Sequence, residues 1–335
     1  MTTPPERSDA SSPLVTVVMA CYNADESLRA ALDSVLVQTV DDIEVLVIDD
    51  GSTVSPVPED LPADPRLEVI RLPENTGYAG VTNEALRLAR GEWVTFVDSD
   101  DTVPEDYLQA LLATAAEHGA DTVFAPIPCF RNGRRIGTQW WTPPGRSSDA
   151  RAAMRAILRH EIPGNQMVLM RRPTAEAPLG QPYSDYVFQL RNLGTRPDSV
   201  VGYADRELYR YTIHPESVTG GLHESVWTLR ELPDLVRDLV AETFPAEEAA
   251  TLQADLERHV ITQMLHKAAR EKTASPLRDE VTAWCRRRIS LRGALALARH
   301  GHRSEAVEWL LVTISPALHR ALYQQYDRRK DARTV

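Results

Sequence analysis

Apolar residues in the first third of the chain fall into short runs of strand length, separated by stretches with helical spacing. Residues 14–19 (LVTVVM) form a continuous run rich in β-branched side chains, and residues 24–38 repeat Leu28, Leu32, Val35 and Leu36 along one helix face. The alternation continues with strand-like runs at 43–48 (IEVLVI), 67–72 (LEVIRL) and 93–97 (WVTFV), and a helical pattern at 80–89. Strands that are apolar on both faces and joined by helical crossovers predict a mostly parallel sheet covered by helices on both sides, an α/β architecture of Rossmann-like type. In such a sheet ligands collect at the carboxyl ends of the strands, so the residues that follow each run matter most.

Those residues are polar. Cys21-Tyr22-Asn23 follows the first run, Asp49-Asp50-Gly51-Ser52-Thr53 the second, Glu74-Asn75-Thr76-Gly77 the third and Asp98-Ser99-Asp100-Asp101 the fourth. A helical pattern at 105–118 and a fifth apolar run at 122–125 come next. Arg131-Asn132-Gly133-Arg134 reads as a hairpin turn, because Asn-Gly accepts the positive φ such a turn needs. Residues 183–218 carry a short helix, a strand-like segment at 207–213 (ELYRYTI) and a loop with His214-Pro215. From there on the pattern is helical, with Pro233, Pro245, Pro276 and Pro316 punctuating successive helices.

Composition narrows the class. A chain of 335 residues that is 43% hydrophobic buries one large core or two modest ones. Its formal net charge of −11 argues against a protein that coats nucleic acid, which needs an excess of Lys and Arg to neutralise phosphates. Cys21, Cys129 and Cys285 match neither a metal-ligand spacing nor an even disulfide framework, and read as packing residues of a reducing compartment. Residues 1–13 are polar and lack the apolar stretch of a signal peptide or anchor, and no run reaches the roughly 20 apolar residues of a spanning helix. The expected location is the cytoplasm, with attachment to the inner membrane face left open.

The acidic turn at 98–101 is the sharpest chemical signal. Three carboxylates within four residues repel one another unless a cation or solvent screens them, and carboxylate oxygens suit Mg²⁺ or Mn²⁺. The competing reading is that Asp100, Asp101 or Thr102 caps a helix starting near Pro104. Asp49-Asp50-Gly51 likewise reads either as a turn or as a carboxylate for a base or ribose. Tyr22 either stacks on a base or packs, and Asn23 either lines a site or caps a helix.

Taken together, the stretches VTVVMACYN (15–23), LDSVLVQT (32–39), EVLVIDDGST (44–53), ENTGYAGVTNEALRLARGEWVTFVDSDD (74–101) and PEDYL (104–108) resemble the donor-binding half of glycosyltransferase family 2, inverting enzymes of GT-A fold. The resemblance implies that Ala20 and Tyr22 line a nucleoside pocket, that Asp50 contacts the base, and that Asn75 and Asn83 shape the wall of the nucleotide site. Asn23, Gly77 and Ser99 belong to the same donor-binding loops. It further implies that Asp98 and Asp100 form an Asp-x-Asp pair for Mn²⁺ or Mg²⁺, with Asp98 also placed to contact ribose. Departures stand out: family members commonly carry Pro at the position of Ala20, Arg at that of Thr82 and Asp at that of Val54.

The same resemblance makes Asp185, in Tyr183-Ser184-Asp185-Tyr186, the general base that takes the acceptor proton; on its residues alone the segment reads first as an N-cap, with Ser184 or Asp185 opening the helix. His214 falls where relatives carry a loop that closes over the donor, next to the diphosphate or the metal. The implied reaction is a single in-line displacement from a nucleotide sugar, with UDP favoured by family habit, onto a glycan, lipid-linked or small-molecule acceptor. The expected division is a disordered tail over 1–13, a catalytic domain over 14–220 (donor side 14–111, acceptor side and base 112–220) and a helical region over 221–335. Basic clusters at 286–288 and 328–330 lie beside apolar stripes there, and packing, dimerisation and contact with anionic lipid are the three readings. A nucleotidyltransferase and an inactive binding module are the rival functions; the chain lacks the Gly-rich, Lys-containing phosphate loop of the first and keeps the acidic residues the second would lose.

Overall fold

The structure is a computed structural model that describes residues 12–23, 27–139, 141–165, 167–214, 222–299 and 301–333. The chain divides into two compact units: residues 1–130, 137–157 and 161–212 form one, and 131–136, 158–160 and 213–335 the other.

The strands, all in the first unit except for residues 131 and 134–136, are β1 (Val15–Cys21), β2 (Ile43–Asp49), β3 (Leu67–Arg71), β4 (Trp93–Phe96), β5 (Thr122–Phe124), β6 (Pro128–Arg131), β7 (Arg134–Thr138), β8 (Ser147–Asp149), β9 (Leu169–Arg171), β10 (Val200–Tyr203) and β11 (Tyr211–Thr212). The helices of this unit, residue 158 apart, are α1 (Ser27–Leu36), α2 (Gly77–Leu88), α3 (Tyr107–His118), α4 (Ala150–Leu158) and α5 (Ser184–Gly194). Eight strands make one sheet in the order β3-β2-β1-β4-β9-β5-β10-β8. Pairing is parallel throughout β3-β2-β1-β4 and between β5 and β10. It turns antiparallel where β9 inserts between β4 and β5 and where β8 closes the edge.

The sequence explains the parallel half. Every residue of β2 is buried, as are all but one of β1, because helices cover both faces of the central strands. α1 turns Leu28, Ala31, Leu32 and Val35 inward, and α3 contributes Tyr107, Leu108 and Leu111. Each such leucine contributes about 2 kcal/mol on burial. α3 stops at Gly119, whose φ of 62° supplies the left-handed residue that closes a helix end. The Asn-Gly turn between β6 and β7 has the expected geometry, with φ of 50° at Asn132 and 75° at Gly133. The segment expected as a strand over 207–213 pairs only at Tyr211–Thr212, with an isolated bridge between Thr102 and Arg210. Its first residues are spent instead on the acidic turn described below.

The second unit is helical: α6 (Glu224–Trp227), a 3-10 turn (Thr228–Glu231), α7 (Leu232–Leu235), α8 (Arg237–Thr243), α9 (Ala246–Arg270), α10 (Pro276–Arg288), α11 (Leu291–Arg299), α12 (Arg303–Ile314) and α13 (Pro316–Arg333). Pro276 and Pro316 stand at the first position of their helices and Pro245 just before α9, where the missing N–H costs nothing. α9 runs through the bundle with Leu252, Leu256, Val260, Ile261, Met264 and Leu265 buried. Among the described residues no helix is long and apolar enough to cross a membrane.

Within this unit His160 stacks on His259 of α9, ring centroids 3.3 Å apart. Burial pushes His160 down to about 3 and His259 to about 2, the latter also through its neighbour His160. Both imidazoles are therefore neutral in the folded protein. At and above pH 7 they add no pH dependence; below the unfolded value near 6.5 the unfolded chain takes up protons that the folded one refuses. The unfolding free energy should fall as pH is lowered from 7 to 5, by up to about 1.4 kcal/mol per histidine per pH unit, and the melting temperature with it. A His259→Gln variant should flatten that profile in circular-dichroism melts, and an unchanged slope would show that another group sets it.

Candidate active site at the carboxyl edge of the sheet

The chain leaves β1 toward β2 on one side and reaches β4 on the other, so the crevice above β1 and β4 is the switch point of the sheet. The turns that follow β1, β2 and β4, with the N-terminus of α2, meet around it.

The turn after β2 is a scaffold. Asp49 accepts from the N–H groups of Ser52, at 3.0 Å, and Val57, at 3.1 Å. These bonds hold its carboxyl below the usual range despite the opposing effect of burial. Asp50 is 4% exposed, and both its oxygens face the start of α2: Oδ1 accepts from the Thr76 N–H (2.7 Å) and hydroxyl (2.8 Å), Oδ2 from the Gly77 N–H (2.9 Å). A carboxylate at a helix N-terminus pairs two orphan donors and the positive end of the helix dipole. Gly51, at φ 65°, lets this turn touch residues 74–75; a Cβ there would lie 2.4 Å from the Glu74 carbonyl carbon.

Asn23 does not cap α1. Its side-chain oxygen accepts from the N–H groups of Thr53, Val54 and Ser55, and its own N–H donates to the Ser52 hydroxyl, so it fixes the turn after β2. Its φ of 49° is one that Asn tolerates better than most residues. Tyr22 is 52% exposed, an aromatic face turned to solvent beside these turns, and Ala20 is half-buried at the end of β1. The Asn75 side chain accepts from the Gly77 N–H at 3.1 Å. Asn83 is tied reciprocally to Ala177, donating at 3.0 Å and accepting at 2.8 Å, so it joins α2 to the segment ahead of α5. Thr82, where the family's arginine would stand, is fully buried and donates to the Tyr78 carbonyl.

The turn after β4 gathers the acids. Asp98, Asp100 and Asp101 each bring a carboxylate oxygen within 4.8 Å of the others. None caps α3, which begins only at Tyr107. Asp101 is 0% exposed; one oxygen accepts from the Thr212 N–H at 2.6 Å, and the other, also buried, makes no well-formed hydrogen bond, although the Tyr209 hydroxyl stands near enough to lower the carboxyl. The Asp98 N–H donates to the Tyr209 hydroxyl at 2.9 Å, and the Ser99 carbonyl accepts from Ser27. Burial first, then Asp100 and Asp185, push Asp98 up to about 7. Burial, Asp98 and Asp100 raise Asp101 to about 9.

Asp185 lies in the first turn of α5; the cap position falls on Tyr183, at φ 53°, rather than on Ser184 or Asp185. Burial raises its carboxyl, opposed by the N–H of Tyr186. Its charge is felt at Asp98, and both act on the buried Tyr78, so residues 87 positions apart share one electrostatic site. His214 belongs to the second unit, and residues 215–221 of its loop lie outside the described residues. Sequence reasoning did not reach Asp101 as a buried member of the acid cluster, nor Tyr209 and Thr76 as its supports.

An open, mostly parallel sheet with an acidic turn at its switch point is the architecture of GT-A glycosyltransferases. Over 94% of this chain and 91% of that one, the fold matches Staphylococcus aureus TarS residues 1–349, solved with UDP-GlcNAc, at a TM-score of 0.61 and 16% identity. A mannosyltransferase from Pyrobaculum calidifontis, solved with GDP-Man and Mn²⁺, matches over 95% and 88% of the two chains at 0.51 and 17% identity. Residues 16–173 match the model of glycosyl transferase family 2. The putative glycosyltransferase EpsH of Bacillus subtilis and the succinoglycan biosynthesis protein ExoO of Rhizobium meliloti are each 38% identical over 109 residues, 32% of this chain. The chain thus spans about a third of each, 31%.

Replacing Asp50→Ala leaves the Thr76 and Gly77 donors without their carboxylate. The substitution should lower unfolding free energy by about 1–3 kcal/mol in urea titrations. Asp50→Asn, which keeps an acceptor oxygen, should recover part of the loss; equal loss in the two variants would mean that the cap is not what Asp50 supplies.

Proposed function

We propose that the protein is a metal-dependent, inverting glycosyltransferase that moves a sugar from a nucleoside-diphosphate donor, with UDP as the expected nucleotide, onto an acceptor hydroxyl. The observation that carries this reading is the convergence of Asp98, Asp100 and Asp101 on one point, within the field of Asp185. Nucleotide sugars bound to TarS and to the Pyrobaculum mannosyltransferase, the latter with Mn²⁺, support it.

The acid cluster fits a divalent cation. Its donors are carboxylate oxygens, the class that Mg²⁺ and Mn²⁺ take, and Asp101, one of the three, keeps a buried oxygen with no well-formed hydrogen bond. Asp98 and Asp100 are the residues that would hold the ion, with Asp101 behind them. When bound, the ion would neutralise negative charge on the diphosphate leaving group. The residues of the chain do the rest. Tyr22 and Ala20 offer a wall to the nucleoside, and Asn23, Asp50, Asn75, Gly77, Asn83 and Ser99 hold the turns that frame it. Asp185 accepts the proton of the acceptor hydroxyl; the new C–O bond forms at the anomeric carbon as the bond to the diphosphate breaks on the opposite face. Burial makes the Asp185 carboxylate more basic than a solvated one, which suits it to that transfer.

With Mn²⁺ and a panel of nucleotide sugars, the protein should release nucleoside diphosphate in a sugar-dependent way; release of pyrophosphate would mark nucleotidyl transfer instead. Asp185→Asn should cut kcat by about a thousandfold while nucleotide affinity stays within about twofold. Turnover near wild type would remove Asp185 from the role of base.

Cation affinity should follow the raised carboxyls. Folded values of about 7 for Asp98 and about 9 for Asp101 mean that the bare cluster costs stability as pH climbs from about 4 through those values, and that cation binding expels protons at any pH below them. Mn²⁺ affinity measured by calorimetry should therefore fall by about tenfold per pH unit below about pH 7, and Asp100→Ala should lose most binding at every pH. A pH-independent affinity would place the cation elsewhere.

A further inference from the structure

The end of the second unit combines two features that the transfer reaction does not use. The first is apolar exposure in helical register. α11 leaves Leu291 and Leu295 outward, α13 leaves Leu318, Leu322 and Tyr326 outward, and Ile314 closes α12; all six are between 44% and 74% exposed. Spacings of four residues put each set on a single helix face. On α11 the reason is visible. Gly293 and Ala294 face α12, where a Cβ on Gly293 would meet the Trp309 ring at 3.2 Å and Ala294 is 1% exposed, so the leucines occupy the remaining side. Large apolar residues repeated along consecutive helices exceed the scattered exposure that a soluble surface normally shows.

The second feature is charge. Residues 286–335 hold eleven Lys and Arg against four Asp and Glu, a formal +7, in a chain whose formal net charge is −11. Arg286, Arg287, Arg292, Arg299 and Arg303 are exposed, at the end of α10, along α11 and at the start of α12, on the stretch of chain that carries Leu291 and Leu295. Apolar side chains bordered by arginines on short amphipathic helices are what an interfacial membrane segment requires: the apolar face enters the acyl boundary and the cations meet lipid phosphates. A symmetric pairing of two copies through the same face would set two such cationic ends against each other. Charge complementarity therefore selects an anionic bilayer over a second copy.

We propose that α11 to α13 dock the protein on the surface of an anionic phospholipid membrane, with Leu291, Leu295, Leu318 and Leu322 inserted and the arginines of α10 and α11 on the headgroups. The docking is peripheral, since no described helix can span a bilayer. It rests on surface residues alone and is independent of the identity of donor or acceptor.

Flotation of the full chain with vesicles tests it. The protein should float with 3:1 phosphatidylcholine:phosphatidylglycerol vesicles, remain behind with phosphatidylcholine alone, and be released by 0.5 M NaCl, where screening acts within a few ångström. Arg286→Gln/Arg287→Gln/Arg292→Gln should weaken partitioning on the order of a hundredfold at low salt, about fivefold per cation. Leu318→Ser/Leu322→Ser and, separately, Leu291→Ser/Leu295→Ser should each weaken it at least about tenfold. Melting temperatures near wild type would show that the variants fold, and two independent leucine pairs guard against one of them failing. Three results overturn the proposal: no flotation of wild type with the anionic vesicles, equal flotation with neutral ones, or a concentration-dependent dimer in light scattering that the leucine substitutions dissolve.

Discussion

Four carboxylates held where they repel one another are the constraint around which the first unit is organised. Asp98, Asp100 and Asp101 occupy one turn, and Asp185 arrives from a helix far along the chain; burial and mutual repulsion drive Asp98 and Asp101 toward their protonated forms. A sequence free to relax would splay this turn into solvent. It is kept in place by the parallel pairing of β4 with β1, by the Tyr209 hydroxyl on the Asp98 N–H and by the Thr212 N–H on Asp101. The energy comes from apolar burial below, in strands with no exposed residue along β2 and almost none along β1. An unfavourable arrangement maintained by a rigid support is characteristic of a site built for a ligand that the bare protein only half imitates.

The neighbouring acids serve differently. Asp49 and Asp50 sit in an equally acidic turn, yet each is saturated by backbone donors, Asp49 within its own turn and Asp50 across to α2. Two turns of similar composition thus divide into one whose carboxylates are spent on backbone donors and one in which burial and mutual repulsion raise Asp98 and Asp101.

This is also where legibility in the sequence ends. The parallel half of the sheet was readable because period and length agree with burial there: IEVLVI is apolar on both faces and becomes a strand buried on both faces. The Asn-Gly turn was readable from its φ requirement alone. β8, β9 and β10 escaped notice, since runs of three or four residues carry no period, and β9 joins the sheet antiparallel through contacts distant in sequence. The motif marked Asp98, Asp100 and Asp185, but the burial of Asp101 and the roles of Tyr209, Thr76 and Ala177 depend on chain crossings that no local pattern records. Asn23 was legible as a polar residue in the right place, and its task of gathering three N–H groups from another turn was not.

The double bond between Asn83 and Ala177 makes α2 a beam with both ends fastened. Its first residues hang on Asp50, its middle grips the stretch that leads into the helix of Asp185, and α2 packs against that helix. A change that widens one wall of the crevice by shifting α2 must drag the far wall with it. Breadth of the pocket and placement of the acid on α5 are therefore inherited together: variants that admit a bulkier group will have to find their room in side-chain volume, because the backbone frame offers none to spare.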